Sequence, residues 1–112
     1  MIKSREFHLY FISVGDSKIH CLFDGDEILY SADDLCDMCG FCREANKGTA
    51  AMIVRIGAAS WIRHSDSTGR DTIFLDTLNA SRLFGLMSRA TADLIRREVF
   101  HRAAAIPDLG AA

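Results

Sequence analysis

The first third of the chain alternates apolar and polar positions in short runs. Phe7-His-Leu-Tyr-Phe-Ile-Ser-Val14 and Lys18-Ile-His-Cys-Leu-Phe23 flank the turn-forming Gly15-Asp16-Ser17, a pattern that predicts a β-hairpin. Asp24-Gly25-Asp26 supplies the next turn, and Glu27-Ile-Leu-Tyr30 predicts a third short strand. In Ser31-Ala-Asp-Asp34 the serine hydroxyl is placed to accept from first-turn amides, while Asp33 and Asp34 suit the positive end of a helix dipole. A short helix is therefore expected from Ala32 to about Cys39, stopped by Gly40.

The middle of the chain sends mixed signals. Arg43 to Gly48 is polar and reads as a loop; in Thr49 to Ile56 the alanines and Met52 favour a helix while Ile53, Val54 and Ile56 favour a strand. Helix is the preferred reading. Ser60 to His64 and Asp71 to Leu75 predict a second hairpin, with the polar tip Ser65 to Arg70 between them. Asp76 or Thr77 can then cap a helix whose apolar stripe is Leu78, Leu83, Phe84, Leu86 and Met87. After a tight turn around Ser88 to Thr91, Thr91 caps a last helix in which Leu94, Ile95, Val99 and Phe100 face inward, and Pro107 enforces a stop. The sum is an α+β domain: a small antiparallel sheet of two β-hairpins packed with three to four short helices, the last two forming a C-terminal helix pair. Its 112 residues suit one core, assigned here to residues 1–106, with 107–112 as a short flexible tail.

With 49% hydrophobic and 25% charged residues the composition is that of an ordinary globular protein. No apolar run approaches the roughly 18 residues of a membrane helix, and Met1 to His8 lacks the apolar centre of a signal peptide. A cytoplasmic location without membrane contact is the expectation. The formal charge of −2 conceals an asymmetry: residues 1–46 carry nine acids against four bases, and residues 47–112 carry nine bases, eight of them arginine, against six acids. Arginine's planar fork suits phosphate and carboxylate recognition, although one basic face on a near-neutral domain gives little nonspecific affinity for nucleic acid.

Cys36-Asp-Met-Cys39-Gly-Phe-Cys42 has thiols at a spacing that can clasp a metal. The helix reading places Cys36 and Cys39 on the apolar side with Leu35, where cysteine acts as a small hydrophobe, and no second Cys-x-x-Cys or histidine pair completes a four-ligand set. Core cysteines are the preferred reading, and no cofactor is expected. The four histidines are scattered, and Asp24/Asp26/Glu27 and Asp33/Asp34 suit a turn and a helix start better than paired catalytic carboxylates. Binding is thus favoured over catalysis. Two helices joined by a short turn can make a helix-turn-helix, and Arg63 and Arg70 at the second hairpin with Arg89, Arg96 and Arg97 at the last helix are the candidate DNA contacts. Against them stand two i,i+4 pairs, Asp93 with Arg97 and Glu98 with Arg102, which would consume charge otherwise available to phosphates.

The order of these motifs resembles the BRO-N domain of phage and viral antirepressor-like proteins. Phe23-Asp-Gly-Asp-Glu-Ile-Leu-Tyr-Ser-Ala-Asp-Asp-Leu-Cys-Asp-Met-Cys-Gly-Phe41 is similar to that family's strand, turn, strand and capped helix with a closing Gly-aromatic pair. Phe74 to Ser88 is similar to its helix running into a serine-containing turn, and Ala92-Asp-Leu-Ile-Arg-Arg-Glu-Val99 to its second helix ending in Glu-Val. The resemblance implies a compact α+β domain in phage or prophage regulation, binding DNA or sequestering a repressor-like protein. The hairpins leave sheet edges, so a homodimer is also possible.

Overall fold

The computed structural model describes residues 7–40, 49–57, 62–65, 69, 71–86 and 88–106. Its first two strands, β1 (His8–Val14) and β2 (Ser17–Phe23), pair antiparallel in unbroken register from His8 opposite Phe23 to Val14 opposite Ser17. Gly15 sits in the loop at φ 59°, a left-handed conformation that the tight turn requires and glycine adopts without a Cβ clash. The Asp24 carboxylate accepts from the amides of Asp26 and Glu27 at 2.9 and 2.8 Å, closing the next turn into β3 (Ile28–Ser31).

At Ser31 the strand gives way to α1 (Ala32–Met38). Ser31 Oγ accepts from the Asp34 amide at 3.3 Å, the expected cap, and the helix ends at Cys39 with Gly40 left-handed at φ 76°. The remaining elements are α2 (Thr49–Arg55), the strands β4 (Ile62–Ser65) and β5 (Asp71–Leu75), and the helices α3 (Thr77–Phe84) and α4 (Arg89–Ala103). The ambiguous Thr49 segment is helical. The strands form one antiparallel sheet in the order β1-β2-β3-β5-β4, so β3 joins the two hairpins into a single α+β layer pair.

Helix α1 begins where β3 would have continued between β2 and β5. Extending the Ser31 to Phe74 pairing by two residues would set Asp33 opposite Thr72. In the helix, the Asp33 carboxylate instead accepts from the Thr72 hydroxyl at 3.3 Å. On the other side Asp34 Oδ2 accepts from both the backbone amide and Nδ1 of His20, each at 2.8 Å. The two acids thus serve the strands that lost β3 as a neighbour, in addition to facing the helix dipole.

The main core joins Ile12, Ile19, Cys21 and Tyr30 of the sheet to Leu35, Leu83, Phe84 and Val99 of the helices. Ile73 and Leu75 pack with Ala32 and Ile53, and Leu22, Leu29 and Phe74 form a third cluster with Phe7, Leu9 and Ile62. Two expected core positions are corrected: Leu78 is 60% and Leu94 58% exposed. In α3 the buried set is Asn79, Ala80, Leu83 and Phe84, and in α4 it is Ala92, Val99 and Ala103. The start of α4 is corrected too, because the helix begins at Arg89 after Ser88, and Thr91 lies inside it. Met87, Trp61 and residues 107–112 lie outside the described residues, as do Arg70, Cys42 and most of the second hairpin's tip.

Removing the Asp34 carboxylate should destabilise the fold more than removing the Ser31 cap, since it strands a strand amide as well as the histidine. Urea unfolding should show a loss of about 1.5–3 kcal/mol for Asp34→Ala against about 1 kcal/mol for Ser31→Ala.

Candidate functional site

The helix pair begins at Asp76, whose Oδ1 accepts from the Asn79 amide at 2.9 Å and caps α3. Helix α4 follows α3 after four intervening positions and packs against it. Helix α4 is clamped by aromatic contacts: the Phe100 ring lies 5.9 Å from Phe84 and 5.6 Å from Tyr30. Ala92, Val99 and Ala103, at i, i+7 and i+11, form its buried stripe, and the two alanines let the backbone approach closely. The opposite stripe, Ala90, Leu94, Arg97 and His101, is exposed throughout.

Arg96 is not on that outer stripe. Its Nε donates to Ser81 Oγ at 2.8 Å, Nη2 to the Ser81 carbonyl at 3.2 Å and Nη1 to Asp93 at 3.0 Å, so three of its five donors tie α4 to α3 and to itself. The expected Asp93 to Arg97 pair is therefore replaced by Asp93 with Arg96. The Glu98 to Arg102 pair does form, at 3.8 Å. Arg82 donates to the Gly57 carbonyl at 3.4 Å. Arg89 and Arg97 are exposed, with no ion pair among the described residues.

Arg63 is exposed on β4, at the opposite edge of the sheet from β1. Four strand spacings, roughly 19 Å, separate those edges, and α4 packs against β1. The structure therefore brings Arg89 and Arg97 onto one helix, turns Arg96 inward, and sets Arg63 on a different element.

Cys21, Cys36 and Cys39 are buried thiols. Burial pushes the Cys21 and Cys39 thiols up to about 12, with Asp34 adding to the shift at Cys21 and Cys36 at Cys39. Cys36 and Cys39 pack in the main core with Leu35, where cysteine acts as a small hydrophobe; Cys42 lies outside the described residues. Among the described residues no group of three His, Cys, Asp or Glu is placed to hold a metal. His64 packs edge-on to both Phe7 and Phe74, its Nδ1 2.8 Å from the Ser65 carbonyl oxygen, and His20 is engaged by Asp34.

The Ser81 to Arg96 brace and the exposed Leu94 were not signalled by the sequence pattern, because both depend on how α4 is rotated about its axis. No protein-family model, curated protein or solved structure matches this chain.

Arg96→Ala should cost about 1–2 kcal/mol in thermal or urea unfolding by breaking the brace, whereas Arg97→Ala should stay within about 0.5 kcal/mol. Stability should also fall as pH rises from 9 toward 12. Unfolded thiols titrate near 9.0 and the unfolded Tyr30 phenol near 10.0, while in the fold Cys21, Cys39 and Tyr30 hold their protons to about 12, chiefly through burial. In that window the unfolded chain releases protons that the folded chain keeps, so the contribution is whole below pH 9 and is lost above it. Urea midpoints across the window would show the fall, and Cys21→Ala should flatten it.

Proposed function

We propose that this chain is a regulatory binding module of the antirepressor-like type, acting by presenting the outer face of α4 to a protein partner. The observation that carries the reading is Leu94, 58% exposed at the centre of that face with Ala90, Arg97 and His101 around it. A leucine held open to water on a helix whose other face is fixed in the core is a ready anchor for an apolar pocket. Arg89 and Arg97 add charge suited to carboxylates at the pocket's rim. The partner that fits is a protein with an apolar cleft bordered by acids, such as the dimerisation or effector surface of a repressor.

DNA binding is the second reading, favoured by the start of α4. Ser88 Oγ bonds to Thr91 Oγ1 at 2.9 Å and makes no side-chain bond to the first-turn amides, which lie next to Arg89. Amides of this kind suit a phosphate. Two available arginines on α4, in a chain of net charge −2, supply only a small electrostatic term, which is why the protein reading is preferred.

Photocrosslinking from position 94 in the cells that encode the chain separates the two. A discrete protein adduct is expected, with Leu94→Ala weakening the purified complex about tenfold or more. Nucleic-acid adducts, together with a salt dependence whose log–log slope shrinks by about 2 in Arg89→Ala/Arg97→Ala, would establish the DNA reading instead. Adducts of neither kind would sink both.

A further inference from the structure

The two edges of the sheet are built differently. Edge strand β4 has four residues and carries Arg63, the kind of short, charged edge that discourages pairing. Edge strand β1 is His-Leu-Tyr-Phe-Ile-Ser-Val: seven residues with no proline, glycine, Asp, Glu, Lys or Arg, and no bulge in its register. Among the described residues it pairs only with β2. Phe11, at its midpoint, is 58% exposed, and the Lys18 ammonium lies over its ring, 5.1 Å from the centroid.

Backbone phase decides which groups that edge offers. Val14 and Ser17 flank the two-residue loop and form a hydrogen-bonded pair, so alternate residues of β1, namely Val14, Ile12, Tyr10 and His8, direct their amides and carbonyls to β2. The outward set is then Leu9, Phe11 and Ser13. That set is symmetric about Phe11. A second copy running antiparallel meets it in one register with every outward group satisfied: Leu9 against the partner's Ser13, Phe11 against the partner's Phe11, and Ser13 against the partner's Leu9. All three pairs are hydrogen-bonded pairs, and no charge of β1 meets its like.

We propose that the chain forms a homodimer by antiparallel pairing of β1 with β1 of a second copy, across a two-fold axis through Phe11. The axis is perpendicular to the sheet, so ten strands form one layer and both α4 helices lie on the same side of it. The apolar cluster of Leu9, Leu22 and Leu29 on the other face becomes continuous across the joint through the two Phe11 rings. A second copy is the partner that adds side-chain complementarity to the backbone match, because the two-fold axis sets the exposed Phe11 ring against its own copy as a cross-strand aromatic pair. The dimer does not depend on what α4 contacts.

Sedimentation equilibrium of the full chain should give about twice 12.4 kDa, and in the dimer the amides of Leu9, Phe11 and Ser13 should exchange slowly. Phe11→Lys and Phe11→Glu, substitutions at an exposed position, should each raise the dimer dissociation constant at least about tenfold. Because residue 11 meets only itself, mixing the two variants should restore a heterodimer. A wild-type monomer at its highest soluble concentration, a dimer indifferent to both substitutions, a mixture that stays monomeric, or open-ended assemblies would each overturn the proposal. Fast exchange at Leu9, Phe11 and Ser13 within a wild-type dimer would do the same, without reliance on any variant.

Discussion

The fold turns on the acidic first turn of α1. Exchanging a strand for a helix in the middle of a sheet leaves the flanking strands with backbone groups that have lost their neighbour, and each such group costs free energy if it is buried unsatisfied. Asp34 answers this on the β2 side by accepting from the His20 amide and ring. On the β5 side Asp33 makes a side-chain contact instead, accepting from the Thr72 hydroxyl. With both contacts made, β3 can stop at Ser31 and the chain can turn Leu35 and Cys36 into the core. The five strands and four helices of the described residues then close around one main cluster.

The helix pair is held by a second set of fixed points. Phe100 touches both Phe84 of α3 and Tyr30 of β3, so α4 is referenced to the sheet as well as to its neighbouring helix. Arg96 adds a polar lock on Ser81. Rotation of α4 about its axis is thereby set, and with it the identity of the outer face. Because Leu94 lies opposite the Ala92, Val99 and Ala103 stripe, a rotation of about 180° would bury Leu94 and expose Val99.

Much of this was legible in the sequence because it is local. The Gly15 turn, the Ser31 and Asp76 caps and the Gly40 stop each depend on residues a few positions apart, and each is found where the pattern puts it. Positions that depend on tertiary rotation were not legible. Leu78 and Leu94 have apolar side chains at helical spacing and still face water, because the faces turned to the core are Asn79, Ala80, Leu83 and Phe84 in α3 and Ala92, Val99 and Ala103 in α4. Similarly, the candidate arginines were readable as a basic set, but not which of them the fold would occupy: Arg96 has Ser81 within reach only because α4 packs against α3.

The chain's charge asymmetry is largely spent on internal contacts. Asp24, Asp33, Asp34 and Asp76 hold turns, strand edges and helix starts, while Asp93 and Glu98 neutralise arginines on α4. These acids have structural partners. On the basic side, Arg82, Arg96 and Arg102 are likewise committed to carbonyls, a hydroxyl and carboxylates. What α4 presents outward is therefore a leucine with arginines near it, not a continuous basic stripe. Desolvating such a surface favours a partner that can bury Leu94, since a phosphate backbone offers it nothing apolar to contact.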